Sequence, residues 1–468
     1  MSEVQSTLRK GLGAQKNRSL SECFAFLDAV NPIAYDQTVS KRMQALNIVL
    51  QNPAKDLDII TFGGSSSKDV TISFATKLLQ EEKLKVGVFY ASNILSYSEQ
   101  ININDEPVAN KVLAEALNTV IDVSLKSNIQ ATAFEILLQA GMLIFAKEAV
   151  DACLLEVGVG GRYDATAFYA PKICAITKVA PKHIDLLGND LDQVACEMLA
   201  IAKPGSWVIS AEQSKLRLQK MKVFAEQNGF LWSMPIRKLS PLPYIYEQLF
   251  GKEASLAERV VQIYIENIKG RFSPFLRGNL LATQKGQRGR PTLETKRNSE
   301  LNPLQTVKSF WAQNFKLNPG IFEILEQEKP TILLDKAEDL ESLGYTFLGL
   351  RLLHYKKPIV GLCIIMGLAK EVDAEEMLKL SRYLFKKIPG EIYFVPLVDG
   401  DKSHNPEELS MKAKQLNVRA VAFQNVKEAF EHAKKVVDER DGIVCLSGNI
   451  EVINNYWRQV REIKKLQL

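Results

Sequence analysis

Apolar residues recur along the chain at two alternating periods. SLSECFAFLDAVNP and SKRMQALNIVLQ space them three and four residues apart, which predicts two amphipathic helices. The apolar run LDIITF predicts a first strand over 57–62, followed by a small polar turn and a helix over 70–82. KVGVFYAS reads as a strand, 107–123 and 132–147 as helices, and ACLLEVGV and ICAITKVA as strands. Val/Ile/Leu-rich strands alternating with helices predict an α/β fold whose mostly parallel sheet is covered on both faces.

The alternation stops at KGRFSPFLRGNLLATQKGQRGRPTLETKRNSELNP, which has no sustained period and is rich in Gly, Pro and basic residues. It resumes with TILLD, PIVGLCIIMG, EIYFVPL, RAVAF and GIVCLSG, separated by helical stretches over 338–353, 374–387, 406–415 and 425–438. Five such strands predict a second, smaller doubly wound α/β domain at the C-terminal end. The expected division is a tail and lead-in helix over 1–33, a central domain over 34–305 with a basic loop at 269–300, and a C-terminal domain over 306–468.

A chain of 468 residues, 46% hydrophobic and 24% charged, suits a globular protein of two or three units. No stretch approaches the roughly 18 continuous apolar residues of a membrane span. The N-terminus MSEVQSTLRKGLGAQKNRSL is polar and basic, so its first twenty or so residues are expected to be a loose tail without a secretory signal, and the protein to be cytoplasmic. The six cysteines are scattered, mostly in apolar runs, and no disulfide or cysteine metal site is expected. The net charge is +5, and residues 269–297 alone hold eight Lys/Arg against Glu294. Phe272 and Phe275 cluster at one end of that segment and no nucleic-acid module accompanies it, so it reads as a solvated loop with no nucleic-acid partner.

The most informative run is CLLEVGVGGRYDATA (153–167), in which an apolar strand delivers Glu156 into a Gly-rich turn carrying Arg162 and Asp164. Glycines let backbone approach a phosphate or metal, and ligands of open α/β sheets sit at strand C-termini. Taken alone, the run suits a binding turn and a purely structural turn equally. It resembles, however, the E-x-G-L-G-G-R-x-D-A-T-N signature of folylpolyglutamate and dihydrofolate synthases, a branch of the Mur ligase superfamily. YDQTVSKRMQALNIVLQNPAKDLDIITFGGSSSKDVT, FYASNILSYSEQININDEPV, ATAFEILLQAGMLIFAKEAVDACLLEVGVGG and ITKVAPKHIDLLGNDLDQVACEMLAIAKPG are similar, in order, to further family segments. NPGIFEIL…TILLDKAED and GIVCLSGNIEVINN extend the resemblance to roughly residues 34–460.

The resemblance implies a P-loop Mur ligase-like central domain and an ATP- and Mg2+-dependent ligase, generally monomeric. Such an enzyme joins glutamate to the carboxylate of a folate or dihydropteroate through an acyl phosphate. It implies a phosphate loop of Gly64, Ser65, Ser66, Ser67, Lys68 and Thr71, with Asp335 meeting the nucleotide. It also implies Ser92, Glu156 and His183 as magnesium ligands, with Lys68, Glu156 and His183 in catalysis and Arg162 and Asp164 at the substrate. Several positions depart from the family pattern. Ser67 stands for the glycine before the lysine, and Asp69 sets negative charge where phosphates rest. Met198 stands for the lysine that helps hold a second metal, Ile321 for the arginine of P-G-R, and Glu338 for the histidine of D-G-A-H-N. The expectation is therefore a divergent folate ligase. Two rivals are a pseudoenzyme that binds folate, nucleotide or a protein partner, and a Mur-type ligase acting on another carboxylate.

Overall fold

The computed structural model describes residues 17–235, 242–277, 307–398 and 400–461. The chain forms two compact units, one holding the chain through Asn93, Tyr97–Pro241 and Lys252–Gln313, the other Ile94–Ser96, Leu242–Gly251 and Asn314–Leu468. Residues 307–313, assigned from sequence to the C-terminal domain, thus fall in the first unit. Most of the basic segment 269–297 lies outside the described residues.

The first unit is built on strands β1 (Ile59–Gly63), β2 (Val86–Phe89), β3 (Ile101–Ile103), β4 (Glu106–Pro107), β5 (Ala152–Glu156), β6 (Ile173–Ile176), β7 (Trp207–Ser210) and β8 (Leu231–Ser233). They form one sheet in the order β4-β3-β2-β5-β1-β6-β7-β8. All pairings are parallel except those of the β3–β4 hairpin with β2 and within itself. Every residue of β1, β2, β5 and β6 is buried, as expected of strands packed on both faces. Helices α1 (Leu20–Ala29), α2 (Thr38–Val49), α4 (Asn110–Lys126) and α5 (Ala133–Lys147) share one apolar core with Phe89, Cys153 and Leu155. Between α2 and α4 in sequence, α3 (Lys68–Glu81) follows β1, while α6 (Leu191–Leu199) and α7 (Lys215–Gln227) join a second core with Cys174, Ile176 and Val208.

The N-terminal lead-in is tied down more firmly than its composition suggests. Ser19 and Glu22 form a capping box at the start of α1. The Arg18 backbone N–H donates to Asn118 Oδ1 (2.9 Å), and its guanidinium donates to Asp122 (2.6 Å) on α4. The chain is therefore fixed from Arg18 onward, and residues 1–16 of the expected tail lie outside the described residues.

Among the described residues the second unit holds six strands where the sequence predicts five: β9 (Glu323–Leu325), β10 (Thr331–Leu334), β11 (Leu362–Met366), β12 (Gly390–Phe394), β13 (Ala420–Ala422) and β14 (Ile443–Ser447), in the order β13-β12-β11-β14-β10-β9. The extra strand, β9, pairs antiparallel with β10 at the sheet edge and is only partly buried; three residues carry too little periodicity to be read as a strand. Helices α8 (Leu340–Lys356), α9 (Ala374–Phe385), α10 (Pro406–Gln415) and α11 (Val426–Val436) connect the five parallel strands. Among the described residues no helix is long and apolar enough to cross a membrane.

Candidate functional site

The strand order of the first sheet changes direction beside β1: the chain leaves β1 for β2 on one side, and β6 lies on the other. Ligands of open α/β sheets bind outside the C-terminal ends of strands at such a point. β1 and β5 are neighbours there, with Phe62 in register with Glu156. The loop from β1 to α3 and the turn after β5 therefore open on the same end of the sheet.

The β1–α3 loop has a defined shape. Gly64 has φ +125°, and a Cβ on it would lie 2.0 Å from Thr177 Oγ1, so only glycine fits. Ser65 is latched to the strand-end segment after β6: its N–H donates to Lys178 O (2.7 Å), and its hydroxyl both donates to Ala180 O and accepts from Ala180 N–H (2.9 Å each). Thr177 Oγ1 donates to Ser66 O at 2.7 Å. Ser67 sits in the left-handed region (φ 57°, ψ 23°) and caps α3 without a side-chain hydrogen bond. A serine thus adopts the conformation that glycine reaches freely, at about 1–2 kcal/mol of strain. Ser67→Gly is accordingly expected to raise stability by about 0.5–1 kcal/mol, part of the relief being lost to the looser unfolded chain. An upward shift of the urea midpoint checks this, and a downward shift contradicts it.

The side chains of the loop turn inward. Lys68 Nζ donates to Gly64 O at 3.2 Å and lies 3.7 Å from Glu156 Oε1. Glu156, 7% exposed, accepts the Ala91 N–H on its other oxygen at 3.0 Å. Ser92 is the next residue after Ala91 and is exposed. Thr71 is fully buried, its hydroxyl donating to Ser67 O at 2.9 Å. Asp69, in the first turn of α3, accepts the Val70 N–H at 2.8 Å, so a carboxylate already uses part of the positive N-terminal end of the helix.

His183 follows β6, half-buried and left-handed (φ 52°), at the start of the short helix Ile184–Leu187. Among the described residues no three His, Cys, Asp or Glu side chains form a group able to hold a metal ion. Met198 is 3% exposed and packs with Val157, Ile176, Val194 and Leu199, so its thioether belongs to the core.

The Gly-rich turn after β5 is organised by two acids. Asp164 is buried: one oxygen accepts the N–H groups of Gly158 (3.0 Å) and Val159 (3.1 Å), the other the N–H (2.9 Å) and hydroxyl (2.5 Å) of Thr166. Burial holds its carboxyl above the usual range, against the pull of these hydrogen bonds. Asp164 thus serves the turn itself, although the sequence suggests it for substrate. Arg162 is half exposed and donates its Nε to Glu197 Oε2 at 2.8 Å. The other oxygen of Glu197 accepts the Tyr35 phenol at 2.6 Å. Gly161 backs onto this group so closely that a Cβ would lie 2.6 Å from the carbonyl oxygens of Glu197 and Met198. Tyr35 and Glu197 escape sequence reading because they meet across 162 residues, with no local spacing to reveal them.

In the second unit Asp335, at the end of β10, accepts the Thr346 hydroxyl (2.5 Å) on one oxygen and the Phe322 N–H (3.4 Å) on the other. Ile321 is buried beside Gly320, which has φ +71°. Glu338 and Asp339 lead into α8, which Asp339 caps.

No protein-family model matches the chain. It is 29% identical over 198 residues to the dihydrofolate synthase/folylpolyglutamate synthase of Bacillus subtilis, a match covering 40% of this chain and only 45% of that protein. A longer match, 22% identical over 425 residues, covers 85% of this chain and 86% of the dihydrofolate synthase/folylpolyglutamate synthase of Buchnera aphidicola. Among solved structures, the bifunctional folylpolyglutamate synthase/dihydrofolate synthase of Yersinia pestis complexed with AMPPNP and a Mn ion superposes with a TM-score of 0.69 at 19% identity, over 96% of this chain and 100% of that one. That likeness establishes the two-unit, Mur ligase-like fold. Sequence similarity to dihydrofolate synthase/folylpolyglutamate synthases runs through both units, although the Bacillus subtilis match spans less than half of that protein's length.

Proposed function

We propose that the protein is an ATP- and Mg2+-dependent ligase that joins glutamate to the carboxylate of a folate or dihydropteroate, acting as a cytoplasmic monomer on small molecules. The observation that carries this reading is the approach of Lys68 to Glu156 at the adjoining C-terminal ends of β1 and β5, with the loop between β1 and α3 held open by Gly64 and Ser67. ATP would supply the phosphoryl group that activates the carboxylate, and Mg2+ the charge that offsets its phosphates.

By the chemistry of their donors the residues suit one nucleotide and one magnesium ion. The loop over Gly64, Ser65, Ser66 and Ser67 would receive phosphates on its backbone, with Lys68 released from Gly64 O to meet them and Thr71 holding the loop through Ser67 O. Glu156 would hold Mg2+ with Ser92 and His183, oxygen donors that suit a hard cation joined by one imidazole. Asp335 is a further proposed nucleotide contact. The residues do not fit a second metal bridged at position 198, since Met198 lies in an apolar core.

ADP release by the purified protein with ATP, Mg2+, glutamate and either dihydropteroate or tetrahydrofolate tests the proposal. ADP formation that requires every component supports it; none above background overturns it. Asp69 should restrain the site, because its carboxylate stands beside the phosphates. Asp69→Asn is expected to tighten AMPPNP binding by about 3- to 10-fold, a gain of roughly 1 kcal/mol from removing one partly screened like charge. Calorimetric titration checks this, and weaker binding would contradict it.

A second reading, a catalytically impaired member that binds folate, nucleotide or a protein partner, is favoured by Asp69 at the helix N-terminus and Met198 in the core. AMPPNP affinity unchanged by Lys68→Ala would favour it over the ligase.

A further inference from the structure

Beside the proposed phosphate and metal residues, the turn after β5 carries a cationic spot. Arg162 spends only its Nε on Glu197; among the described residues neither of its terminal nitrogens donates a hydrogen bond to any group. Its orientation is nevertheless fixed. The Tyr35 phenol donates to the second oxygen of Glu197 (2.6 Å) and accepts the Gly161 N–H (3.4 Å), so turn, phenol, carboxylate and guanidinium form one chain of hydrogen bonds. The Tyr163 ring packs edge-on against Tyr35 with centroids 5.6 Å apart, which restrains the phenol further. Lys203 adds a second positive charge. It is half-buried, and its ammonium is held below the ordinary lysine range by desolvation and then by the nearby charge of Arg162. Among the described residues it has no acidic partner within ion-pair distance. Among the described residues Glu197 pairs with Arg162 alone, so Lys203 leaves a positive charge there without an ion-pair partner, which favours an added anion. A guanidinium with both terminal nitrogens available matches a planar carboxylate in a two-pronged contact, which an ammonium cannot reproduce.

We propose that Arg162, with Lys203 beside it, is the seat of a substrate carboxylate, and that Tyr35 and Glu197 are positioning residues that aim the guanidinium at it. This deepens the ligase reading and rests on it only for the identity of the substrate. The carboxylate belongs either to the amino acid or to the pteroyl acid, and the shared chemistry is a carboxylate meeting a fixed guanidinium.

The test is equilibrium binding to the full chain, in separate titrations of L-glutamate, dihydropteroate and AMPPNP with Mg2+, each carboxylate measured with and without AMPPNP. Arg162→Met is expected to weaken one carboxylate ligand by about 10- to 100-fold, as loss of a charge-assisted pair does, while AMPPNP binding stays unchanged. The ligand affected identifies the source of the carboxylate. Tyr35→Phe, which keeps the ring, and Glu197→Gln should each weaken that same ligand about 3- to 10-fold, and Arg162→Lys should recover part of the loss. Thermal unfolding of each variant confirms folding, and Tyr35→Phe alone decides the matter if Arg162→Met does not fold. Unchanged carboxylate binding in these variants overturns the proposal, as does an equal loss for AMPPNP. Wild-type protein that binds AMPPNP but neither carboxylate also overturns it, leaving the nucleotide reading intact. Arg162-dependent carboxylate binding without AMPPNP binding upholds the seat and removes the ligase.

Discussion

Arg42→Ala is expected to destabilise the first unit by about 3–5 kcal/mol, the usual consequence of removing one partner from a buried ion pair. The Glu135 side chain is 1% exposed, and Arg42 grips it with Nε (2.9 and 3.1 Å) and a terminal nitrogen (2.6 Å). Without the guanidinium, the carboxylate would keep only the Thr132 N–H (3.2 Å) of its own capping box. The pair joins α2 to the start of α5, whose residues line the core shared with β5. Arg42→Met combined with Glu135→Met should lose far less, about the 1 kcal/mol of the cap, because no charge is then left buried. Urea unfolding of the single and double variants decides this, and a single-variant loss below about 1 kcal/mol would show that the pair is solvated in the native protein.

Gly64→Ala should do equal damage at the site itself. The new methyl would lie 2.0 Å from Thr177 Oγ1 and 3.1 Å from the Thr177 backbone nitrogen, at a φ of +125° that alanine rarely adopts. Thr177 cannot turn aside without giving up its 2.7 Å bond to Ser66 O, so the loop must move with it. Backbone strain of about 1–3 kcal/mol plus the clash should lower stability by about 3 kcal/mol. AMPPNP affinity should fall at least about tenfold as the loop amides lose their alignment. Calorimetry with AMPPNP and Mg2+ is the check, and undiminished affinity would mean that nucleotide does not use this loop.

The parts of the molecule that the sequence reveals are those governed by local periodicity. LDIITF, ACLLEVGV and GIVCLSG are continuous apolar runs, and they become buried parallel strands because helices cover both faces. Glu156 is legible for the same reason, since an acid closing such a run must stand at the strand's C-terminal end. Features set by distant contacts are hidden. Nothing in the spacing around Asp164 tells whether it faces ligand or turn; the structure gives both of its oxygens to Gly158, Val159 and Thr166. Ser67 reads as a poor substitute for glycine, yet it takes up the left-handed conformation because Ser65 and Ser66 are fixed to the segment after β6. Met198 is recognisable as a departure from the family pattern, but its place in the core emerges only from packing with residues such as Val157 and Ile176.

The central claim, that this chain ligates glutamate to a pteroyl carboxylate, is tested most directly by mass spectrometry of the pteroyl product after incubation with ATP, Mg2+ and isotopically labelled glutamate. The account predicts a product carrying one added labelled glutamyl residue, formed by the wild-type protein and absent with Lys68→Ala or Glu156→Gln. Unmodified substrate recovered from folded wild-type protein, or product formed equally by the two variants, would contradict it.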